Sequence, residues 1–105
     1  MPLSKKFFKT TNTCEVTFTL SKKAARGAER IWLVGDFNSW SSSDTPMKKS
    51  ADGSFSIKLK LQRGRDYQFR YLLDGKYWEN DWKADKYVSA PFSCTENSVV
   101  SLTEE

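Results

Sequence analysis

The clearest rhythm in the chain is strict alternation. Glu15-Val-Thr-Phe-Thr-Leu20 sends Val16, Phe18 and Leu20 to one side and Glu15, Thr17 and Thr19 to the other. That period of two marks a half-buried antiparallel strand. Phe55-Ser-Ile-Lys-Leu-Lys-Leu61 repeats it, burying Phe55, Ile57, Leu59 and Leu61 and exposing Lys58 and Lys60. Tyr67 to Leu72 alternates a third time, with Tyr67, Phe69 and Tyr71 on one face and Gln68, Arg70 and Leu72 on the other. Ile31-Trp-Leu-Val34 is different: a continuous apolar run, β-branched and aromatic, that suits a well-covered strand. Gly35-Asp36 and Asn38-Ser39 stop it, so this strand ends near Phe37, which keeps the parity of Ile31 and Leu33 and points to the core. Trp40 comes after the strand, in front of Ser41-Ser42-Ser43-Asp44. A large aromatic left in a polar loop either packs back on its own domain or is displayed to a ligand.

The segments between these strands carry turn chemistry. Ser21 to Arg30 reads as a loop, because Gly27 and the lack of an apolar stripe argue against a helix. Residues 38–53 form a loop rich in Ser, Asp and Gly, and Arg63-Gly-Arg-Asp66 is a turn. Asp74-Gly75 marks a hairpin with two candidate registers. A two-residue loop sets Arg70 opposite Glu79 and Tyr71 opposite Trp78. A three-residue loop, Leu73-Asp74-Gly75, sets Tyr71 opposite Tyr77 and Arg70 opposite Trp78, and is the preferred register because it gives Leu73 a place outside the alternation. Residues 80–96 have no convincing period, and long ordered connections are often functional. Asn97-Ser-Val-Val-Ser-Leu102 is a final strand. Six to eight short strands with turns between them and no strong helix predict an all-β, antiparallel β-sandwich. No repeat or linker divides it, so residues 1–105 read as one domain with its core over about 13–102.

Composition narrows the chemistry. At 105 residues the chain is long enough for a single core that buries ~60 to ~70% of the unfolded surface. No run approaches the ~20 apolar residues of a membrane span, and Met1 to Lys9 lacks the apolar segment of a secretory signal, so the expected location is cytoplasmic. Cys14 and Cys94 accordingly read as reduced thiols. There is no histidine, which removes the usual neutral-pH general base, the Ser-His and Cys-His dyads and most zinc sites. No metal or cofactor is expected. Of the net charge of +4, the excess lies in residues 1–30, with seven Lys/Arg against Glu15 and Glu29. This reads as a solvated first strand and loop more readily than as a nucleic-acid arm.

Two constellations remain. Asp74, Glu79, Asp81 and Asp85 are close in sequence, but glycoside hydrolysis needs two carboxyl groups across an enclosing cleft, which a small sandwich does not offer. An enzyme is not expected. Trp40, Trp78, Arg70 and Asn97 form the more informative set. Pyranose rings present apolar C–H faces and a rim of hydroxyls, and flat aromatic surfaces beside Arg, Asn or Asp match both. Each has a structural alternative: hairpin packing for Trp78, and an ordinary surface charge beside Glu79 for Arg70. Trp32, inside a strand, reads as packing, while Trp82 stays unassigned.

Three blocks, Leu33-Val-Gly-Asp-Phe-Asn-Ser-Trp40, Tyr67-Gln-Phe-Arg-Tyr-Leu-Leu-Asp-Gly75 with Trp78, and Glu96-Asn-Ser-Val-Val100, occur in an order that resembles the family 48 carbohydrate-binding modules. The resemblance covers residues 30–102. It implies an early-set, immunoglobulin-like sandwich that binds α-glucan (glycogen, starch or maltooligosaccharide) without catalysis. Carried over residue by residue, the two platforms fall on Trp40 and Trp78, the basic contact on Arg70 and the asparagine on Asn97, with Thr95 as a weaker contact; Tyr77 and Trp82 stand beside this set as candidate secondary contacts. The kinase-type members place lysine where Arg70 stands and their second tryptophan at the position of Tyr77, so Tyr77 competes with Trp78 for that platform. Cys94 replaces a frequent glycine. The resemblance also implies association with a glycogen-metabolising enzyme, and a docking sandwich that has lost sugar binding is the alternative reading. Nucleic acid and membrane are not expected partners.

Overall fold

The strand Asp66–Leu73 lies at the centre of the site-bearing sheet and carries the longest alternation in the chain's second half. In the computed structural model, which describes residues 3–8, 10–82, 84–89 and 96–103, the strands are β1 (Leu3–Phe8), β2 (Thr13–Leu20), β3 (Ile31–Gly35), β4 (Lys48–Lys49), β5 (Phe55–Gln62), β6 (Asp66–Leu73), β7 (Tyr77–Glu79), β8 (Lys86–Ser89) and β9 (Glu96–Ser101). One sheet runs β1-β2-β5-β4 and the other β3-β6-β9-β8, with β7 pairing β6, and every pairing is antiparallel. The expected all-β, immunoglobulin-like sandwich is the observed architecture.

Alternation decides what lies between the sheets. Val16, Phe18 and Leu20 of β2 meet Ile31 and Leu33 of β3, Tyr67, Phe69, Tyr71 and Leu73 of β6 and Val100 of β9 in one core. The Phe18 and Phe69 rings pack edge to face at 5.1 Å between centroids, a favourable aromatic geometry. Phe37 reaches this core as expected, 5.5 Å from Phe18, although it sits on a 3-10 turn (Asp36–Asn38) after the strand has ended at Gly35. Cys14 is buried in the same core, and Cys94 lies outside the described residues.

Five features depart from the sequence reading, the first being the two-residue strand β4, which pairs with β5 from within the segment 38–53 expected to be loop. A single helical turn, α1 (Lys22–Ala25), occupies the segment expected to be loop. Ser21 Oγ accepts the Ala24 N–H at 3.1 Å, Ala24 and Ala25 are buried, and Arg26 and Gly27 leave the helix at φ 51° and 78°. One turn buries two alanines and needs no stripe. Strand β1 was hidden because polar Ser4, Lys5 and Lys6 dilute its pattern, yet it pairs with β2 from Leu3↔Phe18 to Phe8↔Thr13. Strand β8 lies inside the segment that showed no period. The segment before it is tied down by polar bonds: Asn80 Oδ1 accepts from the Ser98 N–H (3.0 Å) and hydroxyl (2.8 Å), and the Asp81 N–H donates to Ser98 Oγ at 2.8 Å.

The hairpin register differs from both candidates. Leu73 pairs with Tyr77, Leu72 with Trp78 and Tyr71 with Glu79. Asp74 and Gly75 are both left-handed, at φ 53° and 70°, and the Lys76 N–H donates to Leu73 O at 2.9 Å, as in a type I′ turn. Lys76 is then an extra residue before pairing begins, which shifts every partner by one. Asp74 adopts this conformation because its Oδ1 accepts from the Glu29 and Arg30 N–H groups at 2.9 and 3.0 Å. Leu73 thus keeps the inward parity of Tyr71. Leu72 is the residue that departs from the pattern, apolar and buried on the outer face.

Candidate functional site

The outer face of the second sheet is built on Gln68, Arg70 and Leu72 of β6. Leu72 has Trp32 as its partner on β3 and Trp78 as its partner on β7, so the three side chains form one row across the sheet. Leu72 is buried in that row, whereas Trp78 keeps 46% of its surface exposed. The Arg70 guanidinium carbon lies 5.9 Å from the centre of the Trp78 ring, within cation–π range. Arg70 Nε donates to Asn97 Oδ1 at 2.6 Å, and Asn97 Nδ2 donates to Gln68 Oε1 at 3.0 Å. Asn97 is only 5% exposed. Its amide is thus spent on holding the plane of Arg70, and Glu79, the partner considered from sequence, pairs with Arg26 at 3.2 Å.

Trp40 lies in the turn that follows β3, the strand paired with β6. Ser39 and Trp40 both adopt left-handed backbone, φ 56° and 59°, which costs a non-glycine residue on the order of 1 kcal/mol each. Local bonds hold them there. Asn38 Oδ1 accepts the Gly35 N–H at 3.1 Å, while its Nδ2 donates to Leu33 O and Thr45 Oγ1 at 2.8 and 2.9 Å. The Trp40 N–H donates to Gly35 O, and its indole Nε1 to Asp36 Oδ1, both at 2.9 Å. Asp36 Oδ2 in turn accepts the Gln68 N–H at 2.8 Å. Trp40 is left 38% exposed. Gly35 is required by close approach: a Cβ there would lie 2.5 Å from Gln68 O and 2.9 Å from the Phe37 ring.

Gln68 links the two indoles: its main-chain N–H bonds the Asp36 carboxylate that holds Trp40, and its side chain bonds the Asn97 amide that holds Arg70 beside Trp78. Three side chains singled out from sequence, Arg70, Trp78 and Asn97, meet on the outer face, and the fourth, Trp40, is tied through Asp36 to the main chain of the same strand. Tyr77 and Trp82 do not join them, because alternation along β7 turns Tyr77 and Glu79 to the side opposite Trp78, and the Trp82 indole donates to Glu79 Oε2 at 2.9 Å. Thr95 lies outside the described residues. Trp32, read as packing from its place in a strand, is the Leu72 partner on β3. Sequence reasoning passed over Asp36 and Gln68. The parity shared by Gln68 and Arg70 was the available signal for one of them. Beneath the face, burial, and then the charge and hydrogen bond of Asp81, raise the Tyr71 hydroxyl pKa well above its ordinary value. That hydroxyl donates to Asp81 Oδ2 at 2.8 Å. Among the described residues no cluster of His, Cys, Asp or Glu is arranged to hold a metal ion.

Residues 14–92 match the family model of the glycogen recognition site of AMP-activated protein kinase. The chain belongs to this family. The chain is also similar to parts of three longer proteins. Protein PTST homolog 2, a chloroplastic protein of Arabidopsis thaliana, is 38% identical over 58 residues, 55% of this chain and 10% of the relative. The chloroplastic protein FLOURY ENDOSPERM 6 of Oryza sativa subsp. japonica is 39% identical over 54 residues, 51% of this chain and 10% of the relative. The 1,4-alpha-glucan branching enzyme GlgB of Lactobacillus acidophilus is 44% identical over 46 residues, 43% of this chain and 7% of the relative. The matches span a tenth or less of the length of these relatives. As a glycogen-recognition-family sandwich, the chain carries one half-exposed indole, Trp78, on β7 and a second, Trp40, in the turn that follows β3.

Proposed function

We propose that the protein is a non-catalytic α-glucan-binding module whose contacts are Trp40, Trp78 and Arg70, with Asn97 as the residue that positions Arg70. The observation that carries this reading is the half-exposed Trp78 indole beside an Arg70 guanidinium that Asn97 holds in plane, with the half-exposed Trp40 indole tied through Asp36 to the main chain of the same strand. The indoles offer apolar faces to the pyranose C–H groups, and the guanidinium fork donates to the hydroxyl rim. Asn97 acts by orienting that fork. Because the rings are already held by Asp36 and Leu72, little side-chain freedom is lost on binding.

Stacking on two rings with a few solvent-competed hydrogen bonds gives modest affinity, with a Kd on the order of micromolar to millimolar, or ~4 to ~8 kcal/mol. Isothermal titration with maltoheptaose tests it, with a β-1,4-linked cello-oligosaccharide as control. Heat from the first and none from the second is expected; equal or absent heats contradict the reading. The similarity to a branching enzyme supports a further part of the proposal, that the module works beside an α-glucan-metabolising enzyme. Co-purification of such an activity with the tagged protein tests that part.

A further inference from the structure

Strand β7 carries aromatic side chains on both of its sides. Trp78 lies against Leu72 and Arg70, whereas Tyr77 borders a cleft of about 210 Å³ lined by Ala25, Arg26, Ala28, Leu73 and Asp74. Tyr77 is 61% exposed and Trp82 is 56% exposed. Between them, Glu79 accepts the Trp82 indole N–H on Oε2 at 2.9 Å and pairs through Oε1 with Arg26 Nη2 at 3.2 Å. Tyr77 and Glu79 share one side of the strand ~7 Å apart. The tyrosine ring, the Arg26–Glu79 pair and the tethered indole therefore follow one another along a single strip.

The composition of this strip selects its ligand. The Trp82 N–H is already used by Glu79, so what the ring presents is its apolar face. The core of a protein interface is depleted of charge, and here an ion pair separates the two aromatics. A pyranose chain matches the strip better. Its C–H faces stack on the rings, and its hydroxyls bond a guanidinium and a carboxylate, which supply donors and acceptors in turn.

We infer that Tyr77, Trp82, Arg26 and Glu79 form a second α-glucan-binding site, back to back with the Trp40–Trp78 site across β7. This rests on the α-glucan reading above. Two sites on opposite sides of one hairpin let the domain hold two branches of a polymer, or one chain that passes around the margin of the sheet. Either arrangement raises the effective concentration of the second contact, so branched polymer is held more tightly than a short oligosaccharide.

The indole N–H signals of the four tryptophans, followed by NMR during titration with maltoheptaose, separate the two sites. Trp40 and Trp78 are expected to move together, and Trp82 to move with its own saturation curve. The Trp82 response is expected to persist in a Trp40→Ala/Trp78→Ala variant, and Tyr77→Ala/Trp82→Ala is expected to lose about tenfold or more in glycogen binding. A stationary Trp82 signal while Trp40 and Trp78 move overturns the second site and leaves the first reading intact. No movement at any of the four overturns both. A Trp82 signal that responds to a partner protein and not to maltoheptaose overturns the second site as well.

Discussion

Arg70 Nε donates to Asn97 Oδ1 across 2.6 Å, and this contact sets the plane of the guanidinium beside the Trp78 ring. A lysine has one point charge and no Nε to repeat it. Arg70→Lys is expected to keep the fold but lower maltoheptaose affinity by about threefold to tenfold, the equivalent of one typical net hydrogen bond. Asn97→Ala removes the same bond from the other side and also the bond to Gln68, so it is expected to lower both affinity and stability, the latter by ~1 to ~3 kcal/mol. Titration calorimetry and urea unfolding of the two variants check this. Full affinity in both contradicts a role for the pair.

Gly35→Ala tests how the Trp40 loop is held. The new Cβ would meet a backbone oxygen and the Phe69 and Phe37 side chains within 3 Å, none of which is the free end of a flexible side chain. The expected loss is ~2 to ~3 kcal/mol in chemical unfolding, with glucan affinity falling because the Phe37 turn and Trp40 must shift together. Wild-type stability in this variant would show that the loop relaxes more easily than its hydrogen bonds imply.

The Tyr71–Asp81 contact makes stability depend on alkaline pH. The unfolded chain releases the tyrosine proton near pH 10, whereas the folded chain holds it to higher pH. Above about pH 10 the folded state therefore binds more protons, and stability falls as pH rises. This contribution is intact below about pH 10 and is lost as pH climbs toward the raised folded value. Tyr71→Phe is expected to lessen that decline while costing ~1 to ~3 kcal/mol at neutral pH, because a buried carboxylate loses a hydrogen bond. Unfolding curves on both sides of about pH 10 check it, and identical slopes for the two proteins contradict it.

The sheet scaffold was legible in the sequence because period-two alternation is a property of single strands, and β2, β5 and β6 each display it without help from neighbours. Register was not. It depended on Asp74 accepting from Glu29 and Arg30, a contact between segments more than 40 residues apart. The same limit explains why Tyr77 was weighed against Trp78: one inserted residue, Lys76, decides which of them faces Arg70. The strands β1 and β8 were obscured by lysines and serines whose pairing partners, not their own pattern, define them. The four residues of the candidate site were legible by chemical type, but the bonds through Asp36 and Gln68 that unite them are visible only in three dimensions.

The most direct test is titration of maltoheptaose into the wild-type protein, Trp40→Ala, Trp78→Ala and the double variant, each with a check of folding by NMR or circular dichroism. Each single change is expected to weaken binding about tenfold or more and the pair to abolish it at the Trp40–Trp78 site, since base-like stacking on an aromatic ring is worth ~1 to ~3 kcal/mol in comparable systems. All four proteins should remain folded, because both indoles lie outside the core. Undiminished affinity in the folded double variant would place the glucan somewhere other than these two rings.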